Sequence, residues 1–161
     1  MKLVVILAAV LTMAGCSTFK PVPENYTGPI ATVKDSYANK QSTKAHFFTL
    51  NGVDGNYISN SFGATRGANY GRGSSFDPVI SEREILPKQQ TFTIAGYVFY
   101  PTDAQLLFGD TLNVSGDILF APKEGETYIV KGTVSEALSE VWLEDSEGNL
   151  VKEKITKTHS Q

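Results

Sequence analysis

The sequence predicts a mainly β protein, and three observations lead to this prediction. Short segments alternate between apolar and polar residues with a period of two, which is typical of half-buried strands. Turn-forming residues separate these segments at intervals of about 8–12 residues, as in a β-sandwich. No unit of about 20–50 residues recurs, which excludes a solenoid. We therefore expect one antiparallel β-sandwich over residues 30–156, either immunoglobulin-like or transthyretin-like in topology.

Length and composition agree with a single domain. The chain has 161 residues, of which 41% are hydrophobic, so it can bury one core and is not expected to be disordered as a whole. The formal net charge of −3 argues against a nucleic-acid partner. One cysteine excludes an internal disulfide framework and a multi-cysteine metal site.

The N-terminal element is predicted to be a signal peptide over residues 1–15. Lys2 precedes the unbroken apolar run Leu3–Leu11. A nine-residue helix spans about 13 Å, far less than the hydrocarbon core of about 30 Å, so this run does not predict a transmembrane anchor.

The residues that follow resemble a bacterial lipobox, with the segment Leu11–Cys16 carrying Met13 where leucine is more usual. The resemblance implies cleavage before Cys16 and lipid on its sulfur, and lipid chains in sufficient number hold a protein stably on a membrane. Ser17 follows, and by resemblance to sorted lipoproteins it favours an outer-membrane, periplasm-facing location in a Gram-negative bacterium. An unmodified Cys16 in a plain secreted protein is the alternative.

The mature chain is predicted to begin with a flexible tether over residues 16–29, because Pro21, Pro23 and Pro29 favour extended backbone. Alternation then predicts strands at 30–37, 44–50, 90–100, 111–120, 127–135, around Val141 and Leu143, and at 150–155. Turns are expected at Asn51–Gly52 and at 145–148, and a disordered tail at 157–161.

Two features within this pattern carry further expectations. Thr102–Phe108 is predicted to form a short helical turn that packs through its apolar residues Leu106, Leu107 and Phe108. Glycines lie in the middle of three predicted strands, at 96, 116 and 132. Glycine weakens a strand unless a bulge or a close contact requires it, so we expect one or the other at each of these positions.

The central segment Asp54–Pro78 interrupts the β pattern and is rich in glycine. It holds two of the three arginines of the chain, Arg66 and Arg72, while the third, Arg83, lies beyond it. From Gly55 to Phe76 the chain has neither an acidic residue nor a lysine. This segment is therefore the candidate binding element of the sequence.

Two interpretations of the central segment stay open. In the first, a short helix over about Tyr57–Tyr70 lies across the sheet, with Tyr57 and Phe62 in the core and glycines spaced by four on one face. In the second, the segment is an anion-binding loop that grips phosphate or carboxylate, and the domain is a binding module for an anionic small ligand or a glycan. The candidate ligand-binding residues of that loop are Arg66, Gly67, Gly71, Arg72 and Gly73.

No catalytic or metal-binding motif stands out, so no catalytic residue, cofactor or metal is expected. The two histidines, His46 and His159, cannot build a three-histidine zinc site. A hydrolase remains an alternative, and a cleft with a perturbed carboxylate beside His46 would favour it. From Glu124 to Glu147 seven acidic residues accompany one base, Lys131, which is most simply interpreted as solvated surface.

The whole mature chain resembles a group of small proteobacterial outer-membrane lipoproteins. The residues that carry this resemblance are Asp54–Gly55, the segment Thr65–Gly73, Tyr128–Gly132 and Val141–Asp145. The resemblance implies an envelope lipoprotein with a β domain and implies no activity. We expect a non-catalytic interaction or accessory module that contacts the membrane through its lipid and meets a protein partner in the envelope.

Overall fold

The structure, a computed structural model, describes residues 18–159 and confirms the predicted β-sandwich. The strands are β1 (Ala31–Lys34), β2 (Ser36–Ala38), β3 (Ala45–Val53), β4 (Asn56–Tyr57), β5 (Glu82–Ile85), β6 (Gln90–Phe99), β7 (Asn113–Phe120), β8 (Thr127–Thr133), β9 (Leu138–Glu144) and β10 (Ile155–Thr158). The helices are α1 (Ser61–Ala68) and α2 (Asp103–Phe108).

Two sheets pack face to face. The first sheet has the strand order β10-β9-β8-β1-β5, and the second has the order β2-β3-β6-β7, with β4 paired to β3. The pair β1–β8 is parallel, with Val33 opposite Tyr128, whereas the other described pairs are antiparallel. The first sheet is therefore mixed at this pair, within the predicted and otherwise antiparallel β-sandwich.

The main core lies between the sheets and is built by the alternation that the sequence displays. Leu50 and Ile94 enter it from the second sheet, and Val130 and Leu143 enter it from the first. All four are almost completely buried. Each such side chain contributes about 1.5–3 kcal/mol when it leaves water, so this layer accounts for much of the stability of the fold.

The mid-strand glycines serve close packing, as predicted. A Cβ built on Gly132 would lie 2.4 Å from Phe48 Cδ1, and one built on Gly96 would lie 3.1 Å from the same atom. Gly116 similarly faces Ile155, whose Cγ2 would be 3.0 Å away. The ring of Phe48 thus occupies the space that side chains at two glycine positions would fill.

A second, smaller apolar layer covers the outer face of the second sheet. Phe47 and Phe99 project from β3 and β6 and are buried beneath Phe76, with Phe62 of α1 packed alongside. The ring centroids of Phe62 and Phe99 are 5.2 Å apart in an edge-to-face arrangement, which is favourable for aromatic pairs. The central segment therefore folds onto the outside of the sandwich.

Two predicted boundaries in the first half of the chain differ from the structure. The strand predicted at 30–37 is divided at Asp35, where the chain leaves the first sheet as β1 and enters the second as β2. The turn predicted at Asn51–Gly52 lies instead at Asp54–Gly55, both with positive φ, because β3 continues to Val53 through a register shift. A bulge adds a residue to a strand without ending it, so glycine there did not mark a turn.

The last strand also differs in position from the prediction. The segment 150–154 makes only an isolated bridge, Glu144 to Leu150, and the strand β10 begins at Ile155 opposite Val141. Lys157 and Thr158, which were assigned to a disordered tail, are part of β10. The side chain of Ile155 occupies the space beside Gly116 of β7. Packing between the two sheets, and not the apolar–polar alternation of residues 150–155, therefore sets where β10 begins.

Candidate functional site

The structure confirms the first of the two interpretations, in which the central segment forms a helix. The helix is shorter than predicted. Helix α1 begins after Asn60, whose Oδ1 accepts a hydrogen bond from the Gly63 amide at 3.0 Å. Asparagine is a preferred N-cap because it satisfies an amide that has no partner within the helix. Phe62 packs on Tyr97 and Phe99 as expected, but Tyr57 lies in β4 and is 84% exposed, so its predicted place in the core is wrong.

Asn69 organises the chain that follows α1. It is the C-cap residue, and its side chain donates to the carbonyls of Thr65 and Asp77 at 2.8 and 2.9 Å. Its Oδ1 accepts from the Asp77 amide and from Arg72 Nη1, both at 2.9 Å. One buried amide group thereby closes the loop that carries Phe76 into the outer apolar layer.

The two arginines of the central segment are each paired with an acidic residue of this chain. Arg66 Nη1 lies 3.3 Å from Asp103 Oδ1 at the start of α2, and Arg72 Nη2 lies 3.1 Å from Asp77 Oδ2. The two guanidinium groups therefore contact different carboxylates, and neither carboxylate contacts both of them. This arrangement weakens the interpretation of the segment as an anion-binding loop.

The candidate glycines have conformational rather than packing roles. Gly71 and Gly73 have φ values of 79° and 66°, in the left-handed region that favours glycine after a helix end. A Cβ on Gly67 would meet no atom within 4 Å, so the expected close approach on a glycine face of α1 is absent there. Gly67 therefore lies on the solvent-exposed side of α1.

Arg83, which the sequence singled out only as the third arginine, makes the most buried ion pair among the described residues. Its guanidinium pairs with Asp35, which is fully buried, while Arg83 retains 11% of its side-chain exposure. Asp35 also accepts hydrogen bonds from the amides of Leu50 and Ser61, each at 2.8 Å. An acidic residue within an otherwise alternating strand was the signal that could have indicated this cluster.

The most unusual exposed surface belongs to α2. The predicted helical turn is present, but Leu106, Leu107 and Phe108 (here named the α2 tip) face solvent, and the expectation that they pack against the body is wrong. Leu107 is 80% exposed and Phe108 is 92% exposed. Soluble proteins commonly carry single exposed apolar residues, whereas three consecutive ones make the α2 tip a candidate interaction surface.

The α2 tip is held by specific local bonds. Thr102 Oγ1 accepts from the Gln105 amide and Gln105 Oε1 accepts from the Thr102 amide, both at 3.3 Å, which forms a capping box. After the helix, the amide of Asp110 donates to the Tyr100 hydroxyl at 2.9 Å. Gly109 is required there, because a Cβ would lie 2.3 Å from Tyr100 Cζ.

His46 lies beside an amide rather than a carboxylate. Its Nδ1 is 3.2 Å from Asn39 Nδ2, and burial together with the nearby charge of Lys44 lowers its pKa. The carboxyl groups whose pKa values are lowered, Glu24 and Asp145, are hydrogen-bonded by Lys20 and Asn149, respectively. The arrangement that would have favoured a hydrolase is therefore not found within residues 18–159.

The acidic C-terminal third lines a cleft of about 370 Å³ with Glu126, Asp145 and Glu147 on its wall. Lys123 lies among them, and Asp145 is bonded to the amides of Glu147 and Asn149. In the described part of the chain, no group of three or more histidine, cysteine, aspartate or glutamate side chains is arranged to hold a metal ion.

Cys16 and the predicted signal peptide lie outside the described residues. In residues 18–159 neither helix has the length and apolar character needed to cross a bilayer. The chain matches no family model, no curated protein and no solved structure in the comparisons made.

Proposed function

We propose that this protein is a lipid-anchored lipoprotein of the bacterial outer membrane that faces the periplasm and acts as a non-catalytic interaction module. The single observation that supports the interaction role is the α2 tip, an apolar surface held outward by a capped helix. The lipobox ending at Cys16 supports the anchor. In this proposal the sandwich is a rigid scaffold, and α2 is the element that meets the partner.

Phe108 of the α2 tip belongs to the aromatic class that is enriched in protein interfaces. Removing apolar surface from water contributes about 25 cal/mol per Å². The helix already fixes the backbone of Leu107 and Phe108, so binding has to order only their exposed side chains.

The charges beside the tip define the chemistry of the partner. Asp110 follows α2 and is exposed, and Asp103 at the start of α2 is exposed but paired with Arg66, so Asp110 supplies most of the negative charge beside the tip. An acidic border on an apolar knob is complementary to an apolar groove with basic residues at its rim. The proposed partner is therefore an envelope protein with such a groove.

A photo-crosslinking residue placed at position 108 in living cells tests the interaction. We expect a covalent adduct with one envelope protein, whose crosslinked peptide lies in an apolar groove that carries lysine or arginine at its border. The matched control places the same residue at position 119, because Leu119 is 55% exposed on β7. Leu107→Ser in the position-108 protein should reduce the adduct yield, whereas equal yields at both positions would refute the role of the tip.

The anchor is tested separately by labelling with a palmitate analogue. Cys16→Ser should abolish both the label and retention in the membrane fraction. Unchanged membrane retention of the Cys16→Ser protein would refute the anchor and leave the crosslinking result intact.

A further inference from the structure

The chain is packed against the sandwich almost from the point where the predicted anchor ends. Phe19 and Pro21 form one side of a cavity of about 330 Å³, and Ile58, Ser81 and Arg83 form the other. The expected flexible tether over residues 16–29 contains no strand or helix from residue 18 onward, but it is not separate from the body. A turn within it is closed by the Tyr26 amide, which donates to the Pro23 carbonyl at 3.0 Å.

This placement limits the distance between the body and the bilayer. Two residue steps separate Cys16 from Thr18, and an extended chain spans at most about 3.6 Å per residue, so roughly 7 Å of chain is available. Acyl chains on Cys16 must therefore enter the membrane next to Phe19 and Ile58.

The register of β3 and β6 places the α2 tip at the opposite end. Ala45 pairs with Phe99 at one end of the two strands, and Val53 pairs with Phe92 at the other. Ile58 is bonded to Asn51 near the second end, its amide donating to the carbonyl at 3.0 Å, whereas α2 follows Phe99 at the first. Six residues separate Asn51 from Ala45, which at about 3.3 Å per residue corresponds to roughly 20 Å.

The end near the anchor also carries exposed aromatic side chains. Tyr57 precedes Ile58 and is 84% exposed, and Phe19 is 40% exposed. Amphipathic aromatic rings are favoured at the level of lipid headgroups. Lys20 and Lys34 at this end are paired with Glu24 and Glu82, so attraction to anionic lipid is a minor contribution.

We propose that the end of the sandwich that carries the exposed side chains of Phe19 and Tyr57 rests on the lipid surface, so that the α2 tip points away from the membrane. This inference rests on the proposed lipid anchor. The anchor then orients the body instead of leaving it free to turn, and it presents Leu107 and Phe108 to a partner at a defined height. This surface contacts the bilayer that holds the acyl chains.

Depth-dependent fluorescence quenching tests this orientation. The lipidated mature protein is reconstituted into phosphatidylethanolamine–phosphatidylglycerol vesicles with or without brominated acyl chains. Trp142, the single tryptophan, is replaced by Phe, and one reporter is introduced as Tyr57→Trp or Phe108→Trp. Both sites are exposed, so neither substitution needs repacking of the core.

We expect the Tyr57→Trp protein to lose emission in brominated vesicles and the Phe108→Trp protein to keep it, at low and at high salt alike. Flotation of the vesicles shows independently whether the protein is anchored. Flotation without quenching at position 57, or with greater quenching at position 108, overturns the orientation while the anchor stands. Failure to float overturns the anchor and the orientation together, whereas the crosslinking test of the tip is unaffected.

Discussion

Asp35 and Arg83 form an ion pair at the point where the chain crosses from one sheet to the other. Asp35 follows β1 and precedes β2, and Arg83 lies in β5 opposite Val33. The same carboxylate accepts the amide of Leu50 from the second sheet and that of Ser61 at the start of α1. One buried charged group thus connects both sheets and the helix of the central segment.

Asp35→Asn should strongly destabilise the protein. The substitution leaves the guanidinium of Arg83 largely buried without its counter-charge, and breaking a buried pair in this way costs about 3–5 kcal/mol. Equilibrium unfolding in urea measures the free energy of unfolding. The matched control is Glu82→Gln, which removes the neighbouring exposed pair with Lys34 and should cost less than about 1 kcal/mol. Equal losses in the two variants would contradict the central role of Asp35.

Two glycine substitutions should have opposite effects. Gly132→Ala would place a Cβ 2.4 Å from the Glu140 carbonyl oxygen, so strain in the strand should cost about 1–3 kcal/mol. Gly67→Ala adds a methyl group in open space within α1 and should stabilise the protein by about 0.5–1 kcal/mol, because alanine loses less backbone entropy in a helix.

Thermal unfolding compares both variants with the parent protein. Thermal unfolding that showed a loss of stability in Gly67→Ala would contradict the open position of Gly67 on α1.

Much of the sandwich could be predicted from the sequence, because alternation directly reports which side of a strand is buried. Strands β6 and β7 lie within two residues of their predicted bounds, and the alternating apolar residues Phe92 and Ile94 of β6 enter the main core. The division at Asp35 and the late start of β10 could not be predicted this way. Both depend on contacts with residues far along the chain, such as Arg83 and Gly116.

The candidate site was predicted less well for a related reason. The sequence located the segment that contains Arg66 and Arg72. Their partners, Asp103 and Asp77, lie outside the stretch from residue 55 to 76 that has no acidic residue. Apolar residues at 106–108 were expected to be buried, since hydrophobicity alone does not indicate whether a covering element exists. Only the folded structure shows that the α2 tip is exposed.

Asn69→Ala should loosen the loop between α1 and β5. The substitution removes four hydrogen bonds from one buried side chain, and the Thr65 and Asp77 carbonyls and the Asp77 amide lose partners, for a cost of about 1–3 kcal/mol. Hydrogen exchange should show faster exchange at Asp77 and Val79. Arg72→Ala, which removes the bond from Arg72 to Asn69 and the ion pair with Asp77 but leaves the other three Asn69 bonds in place, is the control and should leave exchange at Val79 unchanged. Equal acceleration in both variants would assign the closure of the loop to Arg72 instead.

Acidification should destabilise the protein through His46. Burial, aided by Lys44, lowers its pKa below the ordinary value of 6.5, so between the folded-state pKa and 6.5 the unfolded chain binds more protons than the folded one. The contribution to stability is therefore fully present above about pH 6.5 and is lost as the pH falls through that window. Protonation of Nδ1 also removes its capacity to accept a bond from Asn39.

Titration of the His46 ring by NMR should give a pKa below 6.5, with unfolding free energies measured in parallel between pH 5 and pH 8. His46→Gln should flatten the decline of stability on the acidic side of neutrality, because it removes the titrating ring while an amide oxygen can still accept from Asn39. His159→Gln removes the other histidine and should leave the His46 titration in place. A His46 pKa above 6.5 would reverse the sign of the effect and show that the ring is stabilised in its charged form.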